Sequence, residues 1–265
     1  MWRVLYPAGL HFLIAALVTQ AGMVWLVQVM GLHPEMYIHY VMELTGITAL
    51  LVMIPAIWLY RRDKRQRCAS GMIFPREKSL KLWEMAGILV IGAGLAMYAN
   101  MLLGMVQSFL APSDYFETMN AMTDGKSVLL CLFWMGIVCP IAEEMIFRWL
   151  IFLRLRDYFR FPAACVISGV LFGVYHGDLL QGVYAAILGM VFAWLLEITG
   201  SLLSCVLLHV GANVWSILFS AYGLFWLENG DGNFLMLVLG GFLFSLLVGI
   251  PYFQKKYGRE KIRTV

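Results

Sequence analysis

The residues best suited to chemistry in this chain lie where charge is least welcome. The stretch Gly136–Arg148 reads GIVCPIAEEMIFR, which sets two adjacent carboxylates and an arginine in an otherwise apolar run. Pro140 removes a backbone donor and opens the hydrogen-bond ladder toward Gly136, one turn before the acids. Glu144 and Arg148 are four residues apart, on one helical face and in the favourable Glu-before-Arg order. Glu143 points about 100° around the same helix, into different surroundings. Two carboxylates in unlike environments can take different protonation states and different roles. Further on, Phe172 and His176 repeat the four-residue spacing, and so do His209 and Asn213. Three apolar segments therefore each offer polar groups, and a bundle can converge them on one place. Such groups in unlike environments are candidates for acid–base roles.

Taken singly, each group has a plain structural reading. A lone His or Asn in a membrane helix is commonly an interhelical hydrogen-bond partner, and Glu-x-x-x-Arg can be a structural ion pair. Two Glu, an Arg, two His and an Asn together are too costly within a bilayer to serve packing alone.

The elements that must position them are membrane spans. The 265 residues are 62% hydrophobic and 13% charged, with a mean hydropathy of +0.80. A soluble globular chain is about 45–50% apolar and about a quarter charged. Runs of roughly 20 apolar residues predict spans at 10–30, 41–60, 83–110, 127–152, 162–180, 183–199, 201–221 and 233–253, with the first retained rather than cleaved as a signal. Seventeen of the nineteen Lys and Arg fall at Arg3, within 61–81, within 154–160 and within 255–263, while the intervening loops carry acids. That alternation predicts eight spans with both termini cytoplasmic. Gly169, Gly173 and Gly177 form a strip that admits a close neighbouring helix, and 177–182 is read as a turn within protein. The five cysteines are scattered without metal-ligand spacing and are read as small buried hydrophobes. No repeat, linker or soluble domain stands out, so residues 1–265 form one all-α transmembrane domain.

Glu143-Glu144-x-x-x-Arg148, Phe172-x-x-x-His176 and His209-x-x-x-Asn213, in that order, resemble the CPBP family. This family comprises type II CAAX prenyl endopeptidases (Rce1-like proteases) and bacterial Abi-type relatives linked to bacteriocin processing or immunity. The resemblance runs from about Leu129 to Trp215, including Leu188-Gly189 and Thr199-Gly200-Ser201, and places the core motifs within about 127–221. It implies a polytopic Rce1-like bundle of about eight helices and an intramembrane glutamic endopeptidase whose site opens toward the cytosol. By motif position Glu143 would activate water, with His176 helping to hold or polarise it. His209 and Asn213 would donate to the oxyanion, and Glu144 with Arg148 would form a supporting pair. No motif residue departs from the pattern.

Three other readings compete. Two His with one or two Glu could ligate zinc, although there is no H-E-x-x-H; no metal or other cofactor is expected. The cluster could instead serve a non-enzymatic membrane partner, such as a bacteriocin-immunity or scaffolding protein. A transporter or proton relay is disfavoured by the lack of repeated halves. The expected partners are the lipid bilayer and a membrane-associated peptide or prenyl-protein substrate. Nothing suggests a nucleic acid, and the oligomeric state is open. The expected location is a bacterial plasma membrane. The chain's own end, Ile262–Val265, lacks cysteine and is not a CAAX substrate.

Overall fold

A computed structural model describes residues 2–70, 78–107, 115–229 and 232–258. Positions 108–110 of the expected third span, the loop charges Arg76, Asp114 and Asp231, and the C-terminal Arg259–Val265 lie outside the described residues. Nine helices run through the described residues, with no strand among them. They are α1 (Trp2–Val29), α2 (Pro34–Ala69), α3 (Leu82–Gln107), α4 (Tyr115–Thr123), α5 (Val128–Arg156), α6 (Phe161–Tyr175), α7 (Leu179–Thr199), α8 (Leu202–Asn229) and α9 (Gly232–Tyr257). Seven are long and apolar enough to cross a membrane, namely all but α4 and α6. The chain is an all-α, multi-pass integral membrane protein.

Of the eight expected spans the fifth, 162–180, is α6, which at 15 residues is not among the seven long helices. Its rise is about 22 Å, less than a bilayer's hydrocarbon core of about 30 Å. The apolar composition continues past its end, but the backbone does not. Gly177 takes a left-handed conformation (φ 75°), and the Asp178 carboxylate accepts from the Gln181 N–H at 2.8 Å to cap α7. The turn expected at 177–182 is confined to 176–178, and Leu179 already opens α7. Irregular backbone at membrane depth is tolerated only inside protein or beside water. His176 sits on that turn.

Close helix approach sets the core. A Cβ at Gly173 would lie 2.3 Å from the Gly182 carbonyl oxygen, and one at Gly169 would lie 2.8 Å from that of Ala186. The strip thus seats α6 on α7, except that Gly177 serves the turn and has nothing within 4 Å. Between α3 and α8, a Cβ on Gly92 would meet the Leu208 oxygen at 2.0 Å and one on Gly211 the Leu89 oxygen at 2.2 Å. The central α5 is buried along most of its second half, from Met145 to Arg156. The outer faces of α1 and α9 carry exposed Phe12, Leu13, Leu17, Phe244 and Leu247, as lipid-facing surfaces require.

One end of the bundle gathers the basic segments. Arg154 bonds Asp63 at 2.5 Å and the Arg3 carbonyl at 2.6 Å. Arg67 chelates Asp157 at 3.0 and 2.8 Å, and Arg156 chelates Glu197 with both contacts at 3.0 Å. Glu84 accepts from Lys256 at 2.5 Å, from Tyr252 at 2.8 Å and from Tyr257 at 2.9 Å. The starts of α1 and α3 and the ends of α2, α5, α7 and α9 thus share one face. Four of the five cysteines are buried and all are free, with Cys68 exposed.

Candidate active site

The site is built on α5, whose hydrogen-bond register changes twice around the acids. Leu132–Val138 and Met145–Phe152 are π-helical, flanking an α-helical Cys139–Glu144. The first of these wider turns lies where Pro140 cannot donate, and such turns recur at functional sites. The freed carbonyl of Met135 is taken up by Asn213, whose Nδ2 donates to it at 2.9 Å. Asn213 is thereby tied to α5 by one amide hydrogen, leaving the other available.

Charge runs through the cluster as a chain. Arg148 Nε lies 3.0 Å from Glu144 Oε2, both side chains fully buried. The other oxygen of Glu144 accepts from His209 Nδ1 at 3.0 Å. Because a carboxylate only accepts, that contact commits Nδ1 as the donor and turns Nε2 toward the next acid. His209 Nε2 lies 3.8 Å from Glu143 Oε2. The order is Arg148, Glu144, His209, Glu143. It brings the two glutamates together although they leave α5 about 100° apart, because one imidazole from α8 spans both.

Solvent access falls unequally along this chain. The Glu144 and Arg148 side chains are 0% exposed and that of His209 is 7%, whereas Glu143 retains 17%. Water can reach Glu143 and not its neighbour. Arg148 is held less by hydrogen bonds than by rings. Its guanidinium lies 4.8 Å from the Phe172 centroid and 5.4 Å from that of Phe192, with Ser168 Oγ a long 3.4 Å away. Its Nη2 has no hydrogen-bond partner. Gly189 makes this possible, since a Cβ there would sit 3.3 Å from Arg148 Nη2 and 3.1 Å from the Phe172 ring. Phe192 also stacks on His209, with centroids 4.9 Å apart.

His176 is half-buried at the end of α6. Its Nδ1 donates to the Phe172 carbonyl at 2.8 Å, which leaves Nε2 as a free lone pair. Its hydrogen bond is made there rather than to Glu143, beside which His209 Nε2 lies at 3.8 Å. Span ends expected at 152 and 162 put Glu143 and His176 at depths differing by about 8 Å. The observed ends remove most of that gap. Arg156 closes α5 thirteen residues after Glu143, and Phe161 opens α6 fifteen before His176. The difference shrinks to about 3 Å.

The sequence reading passed over two neighbours of the cluster, Tyr175 and His11. Tyr175 packs on Phe147 and His176 with centroid separations of 5.2 and 5.5 Å. His11, from α1, lies 3.2 Å from the Tyr175 hydroxyl. A tyrosine before a histidine carries no spacing signal, and His11 opens an ordinary apolar run. Among the described residues no group of three or more His, Cys, Asp or Glu side chains is arranged to hold a metal ion.

Residues 125–215 match the family model described as type II CAAX prenyl endopeptidase Rce1-like. The chain is also similar to "Putative membrane peptidase YdiL" of Bacillus subtilis (strain 168), with 29% identity over 139 residues. That alignment covers 52% of this chain and 55% of the relative, so the chain spans about half the relative's length. No solved structure matches the chain significantly. The matched segment contains the whole run from Glu143 to Asn213, and over that segment the chain is similar to the Rce1-like type II CAAX prenyl endopeptidases.

Proposed function

We propose that the protein is an intramembrane endopeptidase that hydrolyses a peptide bond of a membrane-associated peptide or protein, with Glu143 as the general base. The observation that carries this reading is the split between paired acids. Glu144 is sealed between Arg148 and His209, while Glu143 alone keeps solvent access.

In this reading the Glu143 carboxylate takes a proton from a water molecule as the water oxygen bonds to the carbonyl carbon of the substrate. The carbonyl electron pair moves onto oxygen. The free amide hydrogen of Asn213, and the Nε2–H of His209 when its ring carries a proton on both nitrogens, donate to that oxyanion, and donors of this kind contribute about 2.7–4 kcal/mol each. As the intermediate collapses the C–N bond breaks. Glu143 returns its proton to the leaving nitrogen; the His176 Nε2 lone pair acts earlier, accepting a hydrogen from the water before it attacks. Arg148 fixes Glu144, and Glu144 fixes the tautomer and tilt of His209. The reading takes residues 1–265 as one transmembrane domain, with the protease motifs within about 127–221.

The family resemblance makes a prenylated CAAX-type C-terminus one substrate class and a membrane-associated leader peptide another. The end of the bundle rich in Lys and Arg is taken as cytosolic, and the site opens toward it, about 20 Å along α5 from Arg156.

The test is cleavage of a fluorogenic prenylated peptide and a small peptide library by wild type and Glu143→Ala in liposomes, with and without a chelator. Activity lost in the variant and kept with chelator supports a glutamate-activated hydrolase. Equal turnover by both proteins removes Glu143 from the role.

A further inference from the structure

The outward face of α2 changes chemistry without changing direction. Ile47, Leu50, Leu51, Ile54, Ile57 and Trp58 are exposed along it. At 100° per residue these positions and the four that follow, Arg61, Lys64, Arg65 and Cys68, all fall within one sector about 140° wide. The lipid-facing stripe thus runs straight into a basic one. Among the described residues those last four, all exposed, line an open depression of about 580 Å³.

The opposite face of the same turns packs on α5. Ala56 and Leu59 are buried there with Met145 and Leu150. Buried Asp63 accepts from Arg154 at 2.5 Å, and Arg67 chelates Asp157. These contacts fix the rotation of α2 about its axis, so Arg61, Lys64 and Arg65 are held outward. The acids Asp63, Glu84 and Glu197 of this end are turned inward and buried.

Depth follows from the ring one turn before the cations. Trp58 is exposed on the stripe, and the Arg62 guanidinium lies 5.4 Å from its centroid. Trp2 and Trp83 are exposed at the starts of α1 and α3, at the same end of the bundle. Exposed tryptophans gather where hydrocarbon meets headgroups. Arg61 to Arg65 lie about 5–10 Å further along α2 than Trp58, and the headgroup layer occupies about the next 5–8 Å beyond the hydrocarbon.

We propose that Arg61, Lys64 and Arg65 form a site for the headgroup phosphate of an anionic phospholipid, whose acyl chains lie along Trp58, Ile54 and Leu50. The apolar stripe favours a lipid over a soluble phosphate, because one molecule covers both halves of the face. Three clustered cations favour a net negative headgroup over a zwitterionic one, whose own ammonium they repel. The site does not depend on the protease reading.

The test uses the full chain in nanodiscs of equal phosphatidylcholine and phosphatidylglycerol, with the lipids that stay bound on release counted by native mass spectrometry. Wild type retains phosphatidylglycerol in preference. Arg61→Gln/Lys64→Gln/Arg65→Gln lowers the ratio of phosphatidylglycerol to phosphatidylcholine adducts about tenfold or more, since each cation at an anionic surface strengthens the attraction about fivefold. Lys81→Gln/Arg160→Gln/Lys255→Gln removes as many exposed cations from the same end and keeps the wild-type ratio. Equal losses in the two triple variants, or no preference in wild type, overturn the site. Cys68 gives a second reading on the unaltered chain, because the other four cysteines are buried. In neutral detergent, short-chain phosphatidylglycerol slows alkylation of Cys68 by N-ethylmaleimide severalfold, and short-chain phosphatidylcholine does not. Unchanged alkylation with phosphatidylglycerol contradicts the proposal, and equal protection by inorganic phosphate overturns a lipid as the occupant.

Discussion

The protein buries charge in two places and treats it differently in each. At the basic end of the bundle, Arg156 and Glu197 meet through two parallel bonds, as do Arg67 and Asp157. Glu84 collects four donors there, counting the Lys81 backbone N–H at 2.8 Å. These contacts join helices far apart in sequence and leave their carboxylates saturated. In the Glu143 cluster the pairing is looser. Arg148 leans on ring faces and keeps an unpartnered Nη2, His209 is shared between two acids, and Glu143 has one ionic neighbour at 3.8 Å. Saturated charges hold helices together. A charge with spare valence and partial access to water is available to a substrate.

Variants in the two regions should therefore separate stability from turnover. The largest expected effect is at Glu143, where Gln lowers turnover about 10²–10⁴-fold, as loss of the proposed general base would, with the thermal midpoint unchanged. Next comes Arg156→Met, which removes both Arg156 contacts from the buried Glu197 carboxylate and costs about 3–5 kcal/mol of stability. It is read as a lowered melting temperature with normal activity per folded molecule. Asn213→Ala removes the proposed oxyanion donor and the tether to Met135, and lowers kcat about 10²–10³-fold. Gly173→Ala forces a methyl against the Gly182 carbonyl at 2.3 Å and costs about 1–3 kcal/mol through strain. Gly189→Ala is the mildest. Its methyl meets Arg148 Nη2 at 3.3 Å, so kcat falls severalfold as the guanidinium shifts, and the melt barely moves.

Much of this was legible in the residues. Hydropathy found every long helix because lipid imposes length and composition together, and the Lys and Arg pattern matches the clustering of basic ends on one face. The ends of α5 and α6 were not legible. Leu153 and Leu155 carry α5 on to Arg154 and Arg156, both buried in ion pairs, and a window that penalises charge stops short of them. The far end of α6 was misplaced in the opposite sense, because Leu179 and Leu180 continue the apolar run while Gly177 turns the backbone. Within the cluster, residue types and spacings pointed to Glu143, Glu144, Arg148, His176, His209 and Asn213. The spacing also gave the Glu144–Arg148 contact, since i and i+4 is a local relation. That His209 bridges both glutamates, and that Asn213 reaches the Met135 carbonyl, are contacts between α8 and α5, which no local spacing encodes. The π-helical turns around the acids were equally hidden, because Pro140 announces a break without saying how the backbone accommodates it.

The most direct test of the central claim sets the two regions side by side in a single preparation. Glu143→Gln and Arg156→Met are each reconstituted with wild type, and peptide cleavage and thermal melting are measured on the same samples. The account predicts a crossed outcome, with Glu143→Gln folded and inactive and Arg156→Met destabilised yet active while folded. Full turnover in Glu143→Gln, or a melt lowered as far as that of Arg156→Met, would contradict it.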